Sequence, residues 1–243
     1  MKSTPIIILN KDRLEPLKLL VKSLHKKSYE NIIIIDNKST YEPLLDWYKS
    51  SGVDVFYNNI PETLYDTGTF YRLAFELNHP KFVNLVKTHY VFTDSDVIPI
   101  DEIPNDFIQH MIEVRDEFNI RKVGLGLKID DLPPNVEYSN RVIELESDFW
   151  KRKIEHQKYE LYNAGIDTTF AIYGPGTTPL LDMNSIRMAG LYMGRHMPWY
   201  YDINNLPPDE FHYLKNLEPN RACYSWEVRN KLFNTIEIPK ISF

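Results

Sequence analysis

The run "HYVFTDSDVIPI", His89–Ile100, decides how the chain is read. An apolar stretch stops abruptly at two aspartates, Asp94 and Asp96, with one serine between them, and apolar residues then resume. A short continuous apolar run of this kind reads as a strand buried on both faces. Two like charges at its end repel unless something neutralises them.

Three similar runs precede it: "PIIILN" (Pro5–Asn10), "NIIIID" (Asn31–Asp36) and "VDVFYN" (Val53–Asn58). Helical spacing fills the gaps. Leu14, Leu17, Val21 and Leu24 share one face, with Pro16 suited to a first turn. A second helix begins near Glu42, carries Leu44, Leu45 and Tyr48, and stops at Gly52. Asp66–Thr67–Gly68 reads as a turn into a helix bearing Tyr71, Leu73, Phe75 and Leu77, and Phe107, Met111, Val114 and Phe118 mark a further one. Strands alternating with helices predict an α/β fold with a mostly parallel central sheet. Ligands of such sheets bind at the carboxyl ends of the strands. There the chain places Asn10, Asp36, Asn58 and Asp94. The plainer reading is that any strand must end in something polar.

The second half is less regular. A strand is expected over Lys122–Pro133, a polar helix around Ser147–His156, a strand over Ile166–Tyr173, and a further element over Met188–Asp202. No linker or repeat interrupts the chain, which predicts one domain over residues 1–243. Residues 1–100 form its nucleotide-type half and 101–243 its irregular half.

With 243 residues and 43% hydrophobic content the chain can bury a substantial core. Its single cysteine, Cys223, excludes an intramolecular disulfide and a thiolate metal cluster. A reducing, cytoplasmic-type compartment fits that count. A net charge of −6 argues against wholesale nucleic-acid binding. No apolar stretch reaches membrane-spanning length, so no transmembrane segment is expected; peripheral membrane contact stays open. For the aspartate pair, a hard divalent cation, Mg2+ or Mn2+, would supply the missing charge, since such ions take few carboxylates plus phosphate oxygens. A turn aspartate is the alternative.

The strand-end Asn10 followed by a basic residue and a helix, the "IIDNKST" that ends the second strand, and "FTDSD" together resemble the GT-A glycosyltransferases, near the family 2 type. The likeness spans roughly Thr4–Val97. It implies a Rossmann-like GT-A fold and metal-dependent transfer of a sugar from a nucleoside diphosphate sugar, with a UDP-sugar as the expected donor. The acceptor would be a hydroxyl of a glycan or glycolipid, with inversion. By the same resemblance Asn10 and Arg13 meet the donor nucleotide, and Asp36 and Asn37 meet base or ribose. Asp66 to Gly68 and Arg72 pass the nucleotide. Asp94 and Ser95 lie near ribose and metal, and Asp96 ligates the metal. A cation there would stabilise the charge that builds on the leaving diphosphate.

An inverting transfer needs a base. Asp167 is the first candidate, although Ile166 stands where the family carries the first of an acidic pair; a strand-end cap is its other reading. Asp209 is the second choice, and both it and Glu210 also read as helix N-terminal acids. His196 is a candidate third metal ligand or a packed histidine. Trp199 and Tyr200 suit sugar stacking or the core. Gly174, Gly176 and Thr177–Thr178 form a loop. Three rivals compete: a haloacid-dehalogenase-type phosphatase, whose D-x-D would normally end the first strand rather than the fourth; a nucleotidyltransferase, which would want a glycine-rich first loop where "LNKDRLEP" has none; and a non-catalytic sugar-nucleotide-binding module.

Overall fold

The computed structural model describes residues 3–60, 66–134, 139–179, 184–217 and 224–233, and for residues 66–68, 224 and 226 the backbone alone. Strand β1 (Ile6–Asn10) leads to helix α1 (Glu15–Lys26), β2 (Ile32–Asp36), α2 (Glu42–Ser51) and β3 (Asp54–Tyr57). Helix α3 (Asp66–Tyr71) passes into a π-helical turn (Arg72–Glu76). Then come β4 (Tyr90–Asp94), β5 (Val97–Pro99), α4 (Phe107–Glu117) and β6 (Lys122–Leu127). Helix α5 (Ser139–Ser147) precedes the short strands β7 (Lys153–Ile154), β8 (Leu161–Asn163) and β9 (Ala171–Tyr173). The chain continues with the long β10 (Ser185–His196), α6 (Pro208–Lys215) and α7 (Tyr224–Phe233).

Among the described residues ten strands join one sheet in the order β3-β2-β1-β4-β9-β6-β10-β8-β7, with β5 pairing the far end of β10. The fold is mixed α/β, its central sheet mostly parallel and flanked by helices, as the apolar runs predict. β1 to β4 are parallel, β9 enters antiparallel between β4 and β6, and β6 and β10 again run with the first four.

Strand alternation sorts the isoleucines of β1 and β2 to two cores. Ile6, Ile8, Ile32 and Ile34 face α1 and α4 through Leu17, Leu20, Leu24, Phe107 and Met111. Ile7, Leu9, Ile33 and Ile35 face Phe70, Phe82, Tyr90 and Phe92. Burial on both faces is why these strands read as unbroken apolar runs. Gly52 ends α2 in the left-handed region at φ 71°, where its missing Cβ removes the strain.

Four expectations shift. Asp66–Gly68 opens a helix rather than a turn. The polar helix expected around Ser147–His156 ends where it was expected to begin and passes into a 3-10 turn (Asp148–Trp150), which lays the Trp150 indole over Gly126, where a Cβ would lie 2.3 Å from it. The strand expected from Ile166 starts at Ala171, and the one expected to reach Pro133 stops at Leu127. Among the described residues no helix is long and apolar enough to cross a membrane.

Candidate functional site

Register builds the site. Asn10 pairs with Asp36 across β1 and β2, and Leu9 pairs with Asp94 across β1 and β4. Three strand-end polar residues therefore share one sheet edge. The first two are joined by a side chain that the sequence marks only as apolar, Tyr48 of α2. Asn10 Nδ2 donates to its hydroxyl at 2.8 Å, and the hydroxyl donates to Asp36 Oδ2 at 3.0 Å. Burial pushes the Asp36 carboxyl above its usual range, while hydrogen bonds from Ser39 and Tyr48 partly offset this. Asn58 Nδ2 donates to Asn37 Oδ1 at 2.8 Å and extends the network to the next strand end.

The loops after β1 and β2 are tied by Asp12, which sequence reasoning missed. It takes a left-handed backbone, φ 59°, and its Oδ1 accepts the amides of Thr40 at 2.6 Å and Tyr41 at 3.0 Å. An aspartate tolerates that conformation better than most residues, and that is the only signal it offers.

Arg13 lies at the centre, 9% exposed. Its Nη1 donates to Asp96 Oδ2 at 2.6 Å, its Nε to Glu210 Oε2 at 2.7 Å and its Nη2 to Glu210 Oε1 at 3.0 Å. Tyr213 stacks on the guanidinium at 3.9 Å. Burial disfavours charge on Arg13, but the carboxylates of Glu210 and Asp96 outweigh it and hold the group firmly protonated. Burial likewise disfavours charge on Asp96, and His196 and Arg13 reverse that, keeping its carboxyl well below the usual range.

Asp209, the second choice for a base, has a different task in this arrangement. Its Oδ2 accepts the amides of Leu14 and Glu15, each at 2.8 Å, and so caps α1 from a distant part of the chain. Leu14, the N-cap residue, has no side chain able to do this. Glu210, beside it, is the bidentate partner of Arg13.

Of the other expected residues, Asp94 and Ser95 line a small cavity of about 70 Å³ together with Leu9, Asn10, Lys11, Arg13, Asn37 and Tyr213. The Thr168 hydroxyl donates to Asp94 Oδ2, and Asp94 N–H donates to Thr168 O at 2.9 Å. Asp167, exposed, is thus one residue from a direct contact of Asp94. Arg72 stays on its own helix, 3.4 Å from Glu76. The side chain of Asp66 lies outside the described residues. His196 is set opposite Val97 by the β5–β10 pairing and reaches Asp96 Oδ2 at 3.5 Å. Trp199 is 9% exposed, part of the core and packed on the His196 ring at 4.7 Å. Tyr200 is half-buried and donates to Asp131 Oδ1 at 2.7 Å.

The expected Mn2+ or Mg2+ does not fit the residues as they are arranged. Asp96 is 2% exposed and is absent from the cavity wall; its Oδ2 is taken by Arg13. Its Oδ1 is buried with no hydrogen-bond partner among the described residues, sealed from the hydrated ion that would need it. Among the described residues no group of three or more His, Cys, Asp or Glu side chains is placed to hold a metal ion.

Neither a family model nor a curated protein matches the chain. Among solved structures it is similar to a Bacillus anthracis protein named for glucose-1-phosphate thymidylyltransferase activity and solved with sucrose. The identity is 15% and the TM-score 0.35, covering 88% of this chain and 76% of that one. It is also similar to HddC from Yersinia pseudotuberculosis solved with GMP-PN, at 15% identity and a TM-score of 0.37, covering 71% of this chain and 74% of that one. Likeness at that level is too slight to carry a function.

Proposed function

We propose that this chain is a GT-A-type glycosyltransferase that binds a nucleoside diphosphate sugar, a UDP-sugar first among them, at the carboxyl edge of β1, β2 and β4. It would transfer the sugar to a hydroxyl of a glycan or glycolipid. The observation that carries the reading is the in-register convergence of Asn10, Asp36 and Asp94 on one edge, with Asn10, Asn37, Asp94 and Ser95 around a single cavity. Open α/β sheets take their ligands at such an edge.

In this reading Asn10 and Asn37 on the cavity wall orient base and ribose by hydrogen bonds, while buried Asp36 acts from behind, holding Asn10 in place through Tyr48. Asp94, held by Thr168, meets the ribose side. Asp167, exposed beside Thr168, is the candidate base for the acceptor hydroxyl. A carboxylate there would take the proton as the acceptor oxygen attacks the anomeric carbon and the diphosphate leaves.

The test is incubation with a panel of nucleoside diphosphate sugars and simple glycans, with Mn2+ or with EDTA, scoring nucleoside diphosphate release. Release from one donor is expected, and Asp167→Asn should keep donor binding while losing transfer. Inorganic phosphate released from p-nitrophenyl phosphate would instead make this a phosphatase, and binding without turnover on any acceptor would make it a sugar-nucleotide-binding module.

A further inference from the structure

We propose that this edge binds its diphosphate without a divalent cation: Asp96 holds Arg13 in place of a metal ion, and Lys11 supplies the cationic contact to the phosphates. The inference deepens the donor reading above and rests on it for the role of Lys11.

The two aspartates of the D-S-D turn face different ways. Asp94 and Ser95 line the cavity, whereas Asp96 turns inward to the Arg13 guanidinium at 2.6 Å. The Asp96 carboxylate is thus paired from inside the chain, by a guanidinium it shares with Glu210. A dication brought to Asp96 Oδ2 would meet that guanidinium, and two cations in one low-dielectric pocket repel. Arg13 adds little net positive charge of its own, since Asp96 and Glu210 both bind it. Lys11 differs: it lines the same cavity and makes no hydrogen bond or ion pair among the described residues. Among the described residues lining the cavity it is the cationic one not bound by carboxylates, and lysine serves phosphates as a point charge.

The experiment uses the full chain. Mn2+ is titrated and followed by electron paramagnetic resonance without nucleotide. Binding of UDP, GDP and dTDP is then measured by calorimetry in EDTA and in excess Mn2+. The expected result is no Mn2+ site that Asp96→Asn removes, and an affinity for one diphosphate that Mn2+ changes by less than about twofold. A lost charge-assisted hydrogen bond corresponds to about tenfold or more in affinity. Lys11→Ala should therefore weaken the diphosphate by at least that factor, and Lys11→Arg should restore most of it. Tight Mn2+ binding lost in Asp96→Asn would overturn the inference and leave the donor reading standing. Unchanged affinity in Lys11→Ala would overturn the role of Lys11. No diphosphate bound under either condition would overturn that role together with the donor reading.

Discussion

Replacing Arg13 with methionine strands two buried carboxylates, Asp96 and Glu210, each within 3.0 Å of the lost guanidinium. Breaking a buried ion pair by removing one partner costs roughly 3–5 kcal/mol, because the remaining charge is left uncompensated. Urea denaturation of Arg13→Met should show a loss of that size. Adding Asp96→Asn and Glu210→Gln removes the stranded charges and should recover most of it. If the single variant were as stable as the parent, the network would not bear on stability. At this scale the sequence is informative only about local neighbours. Asn10, Asp36 and Asp94 are legible because the end of an apolar run is a local event. The partnership of Arg13 with Glu210 spans 197 residues, and no local pattern announces it. Tyr48 reads as one more apolar position on its helix, although its hydroxyl joins two strand ends.

At the level of elements, α1 shows how a helix can be specified in two places. Its apolar stripe and Pro16 are written within it, and of its buried Leu17, Leu20, Val21 and Leu24 the spacing picks out all but Leu20. Its N-terminal amides, however, are satisfied by Asp209 of α6. Loss of an N-cap side chain typically costs about 1–2 kcal/mol. Asp209→Ala should lower stability by that amount and speed hydrogen exchange at the Leu14 and Glu15 amides, while exchange in β2 keeps its protection relative to global unfolding. The parallel elements β1 to β4 and their helices were readable because β1, β2 and β4 are buried on both faces, β3 at the sheet edge still keeps Val55 and Phe56 within an apolar run, and each crossover is helical. The short strands β7 and β8 were not, since two or three residues carry no usable alternation and their pairing is set by distant partners, and β9 was legible only as the end of a longer expected strand.

Across the whole molecule, one sheet runs through both halves of the chain and α6 returns to brace the first loop. Trp47 lies in α2 and Trp150 beside β6. Variants keeping either as the sole tryptophan should unfold at the same urea midpoint, in one transition that matches far-ultraviolet circular dichroism. Two separate midpoints would divide the chain into independent units. The return of α6 also orders events in time. A chain emerging from the ribosome completes β1 to β4 before Asp209 and Glu210 exist. Until they arrive, α1 lacks its cap and Arg13 lacks its bidentate partner. Closing so long a loop is among the slower steps available to a folding chain. The cavity wall is therefore finished last, and a nascent or C-terminally clipped chain would carry the frame of the site without its working geometry.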